Sequence, residues 1–354
     1  MGEVMKYVTI NHRKIGADFP PYIVAEVSAN HNGEIDKAKS IMLAAKASGA
    51  DAVKLQTYTP DTLTIDCDKP DFLIDEGLWS GNTLYNLYKQ AYTPFEWHKD
   101  LFDYARKIEV TCFSSPFDKT AVDLLENLNA PAYKIASFEA IDLPLIKYVA
   151  QTGKPMIIST GMASLLEIEE ALDSARSNGC NEIILLHCIS AYPAPIEESN
   201  LKTIKDMADR FLTVTGLSDH TLGTTASISA VALGASFIEK HFTLSRQDKG
   251  PDSVFSLEPN ELKSLCVNSK DAWLALGHSS YERKESEKSN ARFRRSLYFV
   301  QDAVKGTILD EKTVRSIRPG FGLAPKHHPD IIGRKLKADV ERGTPVSWEL
   351  LEEK

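Results

Sequence analysis

A chain of 354 residues holds about two domains of ordinary size, or one α/β barrel and a smaller companion. With 43% apolar and 25% charged residues it falls among ordinary globular proteins, which excludes collagen-like, disordered and coiled-coil classes. Its formal charge of −8, from 41 basic and 49 acidic residues, provides no basic field to neutralise phosphate backbones, so general nucleic-acid binding is excluded too.

The N-terminal stretch MGEVMKYVTINHRKIG has no apolar core of signal-peptide length, and Lys6 breaks the myristoylation pattern. No later stretch approaches the roughly 20 apolar residues that span a bilayer. The five cysteines (Cys67, Cys112, Cys180, Cys188 and Cys266) are odd in number and form no C-x-x-C pair, so they predict reduced thiols rather than a disulfide framework or a zinc ribbon. A soluble, cytoplasmic protein with no membrane partner is expected.

After an extension over residues 1–20, β-rich runs recur at Tyr22–Val27, Ala52–Thr57, Val110–Ser115, Ala132–Ser137, Pro155–Thr160, Glu182–Cys188, Leu212–Leu217 and Ser236–Thr243. The spacers between them carry helix signals. Ser164-Leu165-Leu166-Glu167 reads as a capping box, and so does Thr93-Pro94-Phe95-Glu96 with Pro at the first helical position. Gly49, in ASGADAV, suits the left-handed position that closes a helix. Strands alternating with helices imply parallel pairing through right-handed crossovers. Eight such units fit a closed (β/α)8 TIM barrel, and no G-x-G-x-x-G supports a Rossmann sheet. The predicted organisation is a catalytic barrel over 1–280, a charge-dense linker over 281–295, and a small β-rich domain over 296–354. One connection is unusually long: residues 60–92 carry Phe72, Trp79, Tyr85, Tyr88 and Tyr92, and a loop of that length is usually a lid, a binding loop or disordered.

Barrel chemistry occurs where the strands finish. The polar residues there are Glu26 and Ser28 through Asn32, Lys54 and Gln56, Ser114 and Ser115, Lys134 and Ser137, His187, Ser190 and Tyr192, Ser218 through His220, and Glu239 through His241. Alternate residues of a strand share a face, so Lys54 and Gln56 point one way, Glu239 and His241 do likewise, and Lys240 points opposite. Burying an ammonium is expensive without an anion, so two inward lysines beside serines predict a phosphate or carboxylate ligand. A lone strand histidine is commonly a satisfied core residue, which is the reading for His187. His220 and His241 come from adjacent strands at one level, with Glu26, Glu239 and Asp252 near in the order of the barrel. Together they offer a site for a divalent cation such as Mn, Fe, Co, Zn or Mg. Cys188 lacks an evident base and is read as structural.

Nine segments in order resemble the sialic acid synthase family: AEVSANHNG (25–33), GADAVKLQTYTPDT (49–62), FSSPFD (113–118), AYKIASFE (132–139), STGMAS (159–164), LLHCISAYPAP (185–195), GLSDHTLG (216–223), GASFIEKHFTLSR (234–246) and GPD (250–252). ANHNG, KLQTYTPDT and LYNLYKQAYTPFEWH (84–98) resemble its pseudaminic branch, and RSIRPGFGLAP (315–325) resembles the family's C-terminal antifreeze-like (SAF) domain. The resemblance implies condensation of phosphoenolpyruvate with an N-acetylated amino sugar, with C–O cleavage and phosphate release. For the pseudaminic branch the sugar is 2,4-diacetamido-2,4,6-trideoxy-L-altrose.

It further implies a divalent metal (Mn, Co or Mg) on His220 and His241. Donor contacts fall to Lys54, Ser115, Lys134, Ser137 and Ser218, and contacts around the acceptor or metal to Gln56, Tyr192, Glu239 and Asp252. Glu26 falls near the reacting atoms as acid or base. Ser190 departs from the Asn frequent in sialic acid branches, which leaves its contact with phosphate open. Arg318 matches an arginine that reaches into a partner's barrel, implying a domain-swapped homodimer. The alternatives are an N-acetylneuraminate or legionaminic acid synthase of the same chemistry, and a metal-dependent barrel aldolase or hydrolase.

Overall fold

The computed structural model describes residues 7–353, so Met1–Lys6 of the expected extension and Lys354 lie outside the described residues. Chain contacts divide the protein into two units, Met1–Gly277 and His278–Lys354.

In the first unit, β1 (Val8–Ile10) and β2 (Arg13–Ile15) form an antiparallel hairpin with Val8 opposite Ile15. Eight parallel strands follow: β3 (Tyr22–Glu26), β4 (Ala52–Thr57), β5 (Thr111–Pro116), β6 (Tyr133–Ile135), β7 (Met156–Ser159), β8 (Ile183–Cys188), β9 (Val214–Asp219) and β10 (Phe237–His241). They close into a barrel, β10 pairing with both β9 and β3. This is a TIM barrel, in the strand order the sequence predicts.

Period-two alternation sorts its interior. Tyr22 and Val24, Ala52, Phe113, Ala132, Ile184 and Leu186, Val214, and Phe237 make one apolar cluster with Val8, Ile10 and Ile15 of the hairpin. The next residues on the same strand faces are Glu26, Lys54 and Gln56, Ser115, Lys134, Ser218, Glu239 and His241. The barrel is therefore packed with hydrocarbon below and lined with charge above. Opposite faces, such as Ile23 and Ala25, Val53 and Leu55, and Ile238, pack against the helices in a second cluster.

The helix signals mostly hold. Ser164 caps the helix Leu165–Ser177 in a full capping box with Glu167, and Gly49 closes Ile35–Ser48 at φ 97°. The second box does not form. The helix Phe95–Lys107 takes Pro94 as its N-cap with no side-chain cap, because the buried Thr93 hydroxyl turns instead to His31 Nε2 at 3.3 Å.

Residues 60–92 are ordered in short pieces. A one-turn helix Pro60–Leu63, a 3-10 turn Pro70–Phe72, a Leu73–Thr83 bridge and a helix Leu84–Ala91 capped by Thr83 stand along the segment, joined by irregular stretches. Among the described residues no helix is long and apolar enough to cross a membrane.

In the second unit β11 (Ser296–Phe299) pairs antiparallel with β12 (Val314–Ile317), and isolated bridges extend the pairing at Tyr298–Pro345 and Ala303–Val340. Leu297, Phe299, Leu309, Val314, Ile331, Leu336 and Val346 form its own core. The charge-dense stretch before β11 contains two short 3-10 turns, Glu285–Glu287 and Ser289–Phe293, without a buried residue.

Candidate active site

The parallel register sets Glu26 beside Lys54 and His241, Gln56 beside Ser115, and Glu239 beside Ser218. Lys54 Nζ consequently stands 3.0 Å from Glu26 Oε2, 3.2 Å from Glu239 Oε1 and 3.3 Å from Ser115 Oγ. Lys134 Nζ reaches the same Glu239 oxygen at 3.4 Å, and Ser218 Oγ donates to it at 3.2 Å. Gln56 Nε2 donates to Glu26 Oε1 and to Ser28 Oγ, both at 3.0 Å. Glu239 Oε2 has no hydrogen-bond partner, and Glu26 Oε2 meets Lys54 off the line of a hydrogen bond.

Two lysines and two carboxyls share this floor. Burial opposes ionisation of Glu239, yet Lys134 and Lys54 outweigh it and hold the carboxyl well below the usual carboxylate range. Burial raises Glu26, with Glu239 adding to the shift and Lys54 opposing it. Lys54 keeps its proton because Glu239 and Glu26 overcome its burial, whereas Lys134 is lowered by burial that Glu239 offsets only in part. Two lysines thus face Glu239, held ionised, and Glu26, whose ionisation burial opposes, and a small anion would be a further partner for the ammonium groups.

Beside the floor, the His220 and His241 rings lie with centroids 5.5 Å apart. His220 Nδ1 donates to Ile189 O at 2.8 Å, which fixes the tautomer and leaves the Nε2 lone pair free. Burial lowers its pKa to about 4. His241 is pushed well below the ordinary range by burial and by the neighbouring cationic groups; its Nδ1 has no hydrogen-bond partner and lies 3.8 Å from Asp252 Oδ2. Tyr192 packs over His220 at 4.3 Å between ring centroids, and Phe255 over His241 at 4.9 Å. Two neutral imidazoles, one oriented by a backbone carbonyl and one carrying an orphaned nitrogen, suit a borderline divalent cation. No group of three His, Cys, Asp or Glu poised to hold a metal occurs among the described residues. A metal here would draw the rest of its shell from substrate or water.

These groups open into a cavity of about 380 Å³. Of the sequence-derived candidates, Lys54, Gln56, Ser115, Lys134, Ser137, Tyr192, His220, Glu239, His241 and Asp252 line it. Glu26 and Ser218 lie beneath, fully buried and bonded to lining residues. Ser190 sits behind Ser137, their hydroxyls 2.8 Å apart. Gly161 is forced there, since a Cβ would come within 2.4 Å of Ser137 Cβ. Arg318 is exposed at the end of β12, in the second unit.

His187 faces away and hydrogen-bonds Ser199 O at 2.7 Å, the core role expected of it. Lys240 also faces away, 2.9 Å from Asp219, as its place between Glu239 and His241 requires. The expected loop supplies one wall through Leu63, Trp79, Leu87 and Tyr88, and Trp79 Nε1 donates to Pro251 O at 3.1 Å.

Tyr58, Phe138 and Glu139 also line the cavity and were not among the sequence-derived candidates. Tyr58 continues the 54, 56, 58 alternation past the strand end, a signal that was available. Phe138 and Glu139 lie on a 3-10 turn, Ser137–Ile141, with no such period to reveal them. Burial raises the Glu139 carboxyl to about 7.

Residues 41–281 match the NeuB family and residues 294–352 the SAF domain. The chain belongs to the NeuB family. It is 45% identical to pseudaminic acid synthase of Helicobacter pylori over 334 residues, covering 94% of this chain and 98% of that protein. A pseudaminic acid synthase of Campylobacter jejuni is 44% identical, over 91% and 94% of the two chains. Among solved structures, the N-acetylneuraminic acid synthetase of Leptospira borgpetersenii in complex with citrate superposes with a TM-score of 0.72 at 30% identity. It covers 80% of this NeuB-family chain and 94% of its own.

Proposed function

We propose that this NeuB-family enzyme condenses phosphoenolpyruvate with 2,4-diacetamido-2,4,6-trideoxy-L-altrose to give pseudaminic acid and inorganic phosphate. The observation that carries the reading is the pair Lys54 and Lys134, buried together on one oxygen of Glu239 at the cavity and beside two neutral imidazoles. In the reaction C3 of phosphoenolpyruvate bonds to C1 of the open-chain sugar, water adds to C2, and the C2–O bond to phosphate breaks.

Lys54 and Lys134 hold the donor's charge, with Ser115 and Ser137 completing its hydrogen bonds. Ser218 fixes Glu239, which keeps both ammonium groups aimed inward. Glu26 takes the proton that the attacking water loses, since a carboxyl with a raised pKa is the better base near neutrality. Tyr192, Gln56 and Asp252 border the acceptor's end of the cavity. His220 and His241 would hold a divalent metal (Mn, Co or Mg) that supplies Lewis acidity toward the acceptor's carbonyl oxygen.

Arg318 enters the barrel of a partner in a domain-swapped homodimer, in keeping with its place in the RPG segment. For Arg318→Ala we expect turnover to fall at least about 100-fold with an unchanged melting temperature, on the order of a lost charged substrate contact. Near-normal kinetics would remove that role.

The function is tested by incubating the purified protein with phosphoenolpyruvate, Mn2+ and each of three acceptors: the altrose sugar, the legionaminic precursor and N-acetylmannosamine. Product mass is read together with released phosphate. Pseudaminic acid formed in preference to the other two products is expected. No phosphate release with any acceptor would overturn the reading, and preference for another acceptor would reassign the branch.

A further inference from the structure

Ser28, the second residue beyond β3, is held at φ 44°, in the left-handed region that a residue with a Cβ adopts reluctantly. It is also buried, so the conformation is imposed by its surroundings. A left-handed position with no other demand on it is filled most easily by glycine. The hydroxyl shows what the serine provides. Ser28 Oγ donates a close hydrogen bond to Asp252 Oδ2 and accepts one from Gln56 Nε2 at 3.0 Å, and all three residues line the cavity. Gln56 in turn reaches Glu26, and Asp252 Oδ2 lies 3.8 Å from His241 Nδ1. One hydroxyl therefore ties the charged floor to the carboxylate near the histidine pair.

The loop itself does not depend on that hydroxyl. Asn30 Nδ2 donates to Phe242 O at 3.0 Å and to Ser256 Oγ at 2.9 Å, and its Oδ1 accepts from Ser253 at 3.2 Å. Asn32 Nδ2 donates to Asp248 O at 3.0 Å. These bonds fasten residues 28–33 to Phe242 and to 248–256. What Ser28 adds is the direction of the Asp252 carboxylate. Oδ2 accepts from Ser28 and, at 3.5 Å, from the Ala29 amide, whereas Oδ1 accepts no hydrogen bond among the described residues, and Asp252 belongs to the cavity wall.

We infer that Ser28 is a positioning residue for the sugar acceptor: its hydroxyl turns Asp252 so that Oδ1 accepts a hydrogen bond from an acceptor hydroxyl or acetamido N–H. The left-handed serine is kept for this contact at some expense in stability, as strained residues at functional sites commonly are. The inference rests on the proposed function and adds a residue to it.

Ser28→Gly and Ser28→Ala separate hydroxyl from backbone. Both lose the hydroxyl, and only glycine relieves the left-handed conformation. We expect the acceptor KM to rise about tenfold or more in both variants while the phosphoenolpyruvate KM stays within about twofold, as for loss of one hydrogen bond to a charged group. Ser28→Gly should melt at or above the wild-type temperature and above Ser28→Ala. Asp252→Asn should add less than about twofold to the acceptor KM in the Ser28→Gly background, against a much larger effect in the wild type.

An unchanged acceptor KM in both variants, equal rises in the two KM values, or an undiminished effect of Asp252→Asn would each overturn the inference. Wild-type activity separates the two levels. A wild type that turns over the acceptor alongside unaffected Ser28 variants defeats this inference alone, whereas a wild type inactive with every acceptor defeats the functional reading beneath it.

Discussion

Strands β9 and β10 carry two buried ionic groups on opposite faces, and the two are built differently. Toward the helices, Lys240 Nζ lies 2.9 Å from Asp219 Oδ2 and donates to Thr221 O, while Asp219 also accepts from Thr221 and Ser227. Donor and acceptor match there. Toward the lumen, Lys54 and Lys134 share one oxygen of Glu239, Lys54 also meets Glu26, and Glu239 Oε2 and His241 Nδ1 have no hydrogen-bond partner. A saturated pair holds two strands together, whereas an unsaturated one awaits a ligand. The fold keeps the two groups apart on shared strands because neighbouring strand positions face opposite ways.

The contrast is broken most forcefully at Lys134. For Lys134→Met we expect kcat/KM for phosphoenolpyruvate to fall about 10³-fold or more, roughly 4 kcal/mol, with the melting temperature unchanged or raised. A variant that loses stability along with activity would make Lys134 structural.

Lys240→Met should do the reverse. Leaving Asp219 buried without its cation is expected to lower unfolding stability by about 3–5 kcal/mol, read by urea titration. The double variant with Asp219→Asn should recover part of that loss. A stable single variant would show that the outer pair is dispensable.

The outer layer also holds neutral histidines, and their titration sharpens the same distinction. Burial lowers both His31 and His98 to about 4, and His98 is satisfied by Thr57 and by the Pro94 carbonyl. Their folded pKa values lie below the unfolded one, so the stability they confer is present above about pH 6.5 and is lost as pH falls toward 4. By pH 5 the loss should reach about 2 kcal/mol per histidine, with a shallower slope in His98→Gln. Equal unfolding free energies at pH 7 and pH 5 would contradict this.

The smallest effect belongs to the cavity's apolar wall. Replacing residues 60–92 with the corresponding segment of an N-acetylneuraminate synthase should shift the ratio of kcat/KM between deoxy and hydroxylated acceptors by about 10- to 100-fold, or ~1–3 kcal/mol. An unchanged ratio would mean that Trp79, Leu87 and Tyr88 do not sense the acceptor.

Much of this was legible before the structure. Alternation along β4 and β10 placed Lys54 and Gln56 together and set Lys240 apart from Glu239 and His241, because a strand's two faces follow from covalent geometry alone. The capping box at Ser164 was equally local. Thr93 was not: whether its hydroxyl caps a helix or meets His31 depends on a loop some 60 residues earlier in the chain. Glu139 escaped for a related reason, and Ser28, though counted among the strand-end polar residues, received no role, since a 3-10 turn and a left-handed turn carry no hydrophobic period. Arg318 stands in another unit, and the part proposed for it rests on family resemblance alone.

The central claim is that the lumen floor receives phosphoenolpyruvate and releases phosphate by breaking the C–O bond. Phosphoenolpyruvate labelled with 18O at the bridging oxygen tests it directly, with the released phosphate and the sugar acid analysed by mass. The account predicts that the label leaves with phosphate. Label retained in the sugar acid would contradict it.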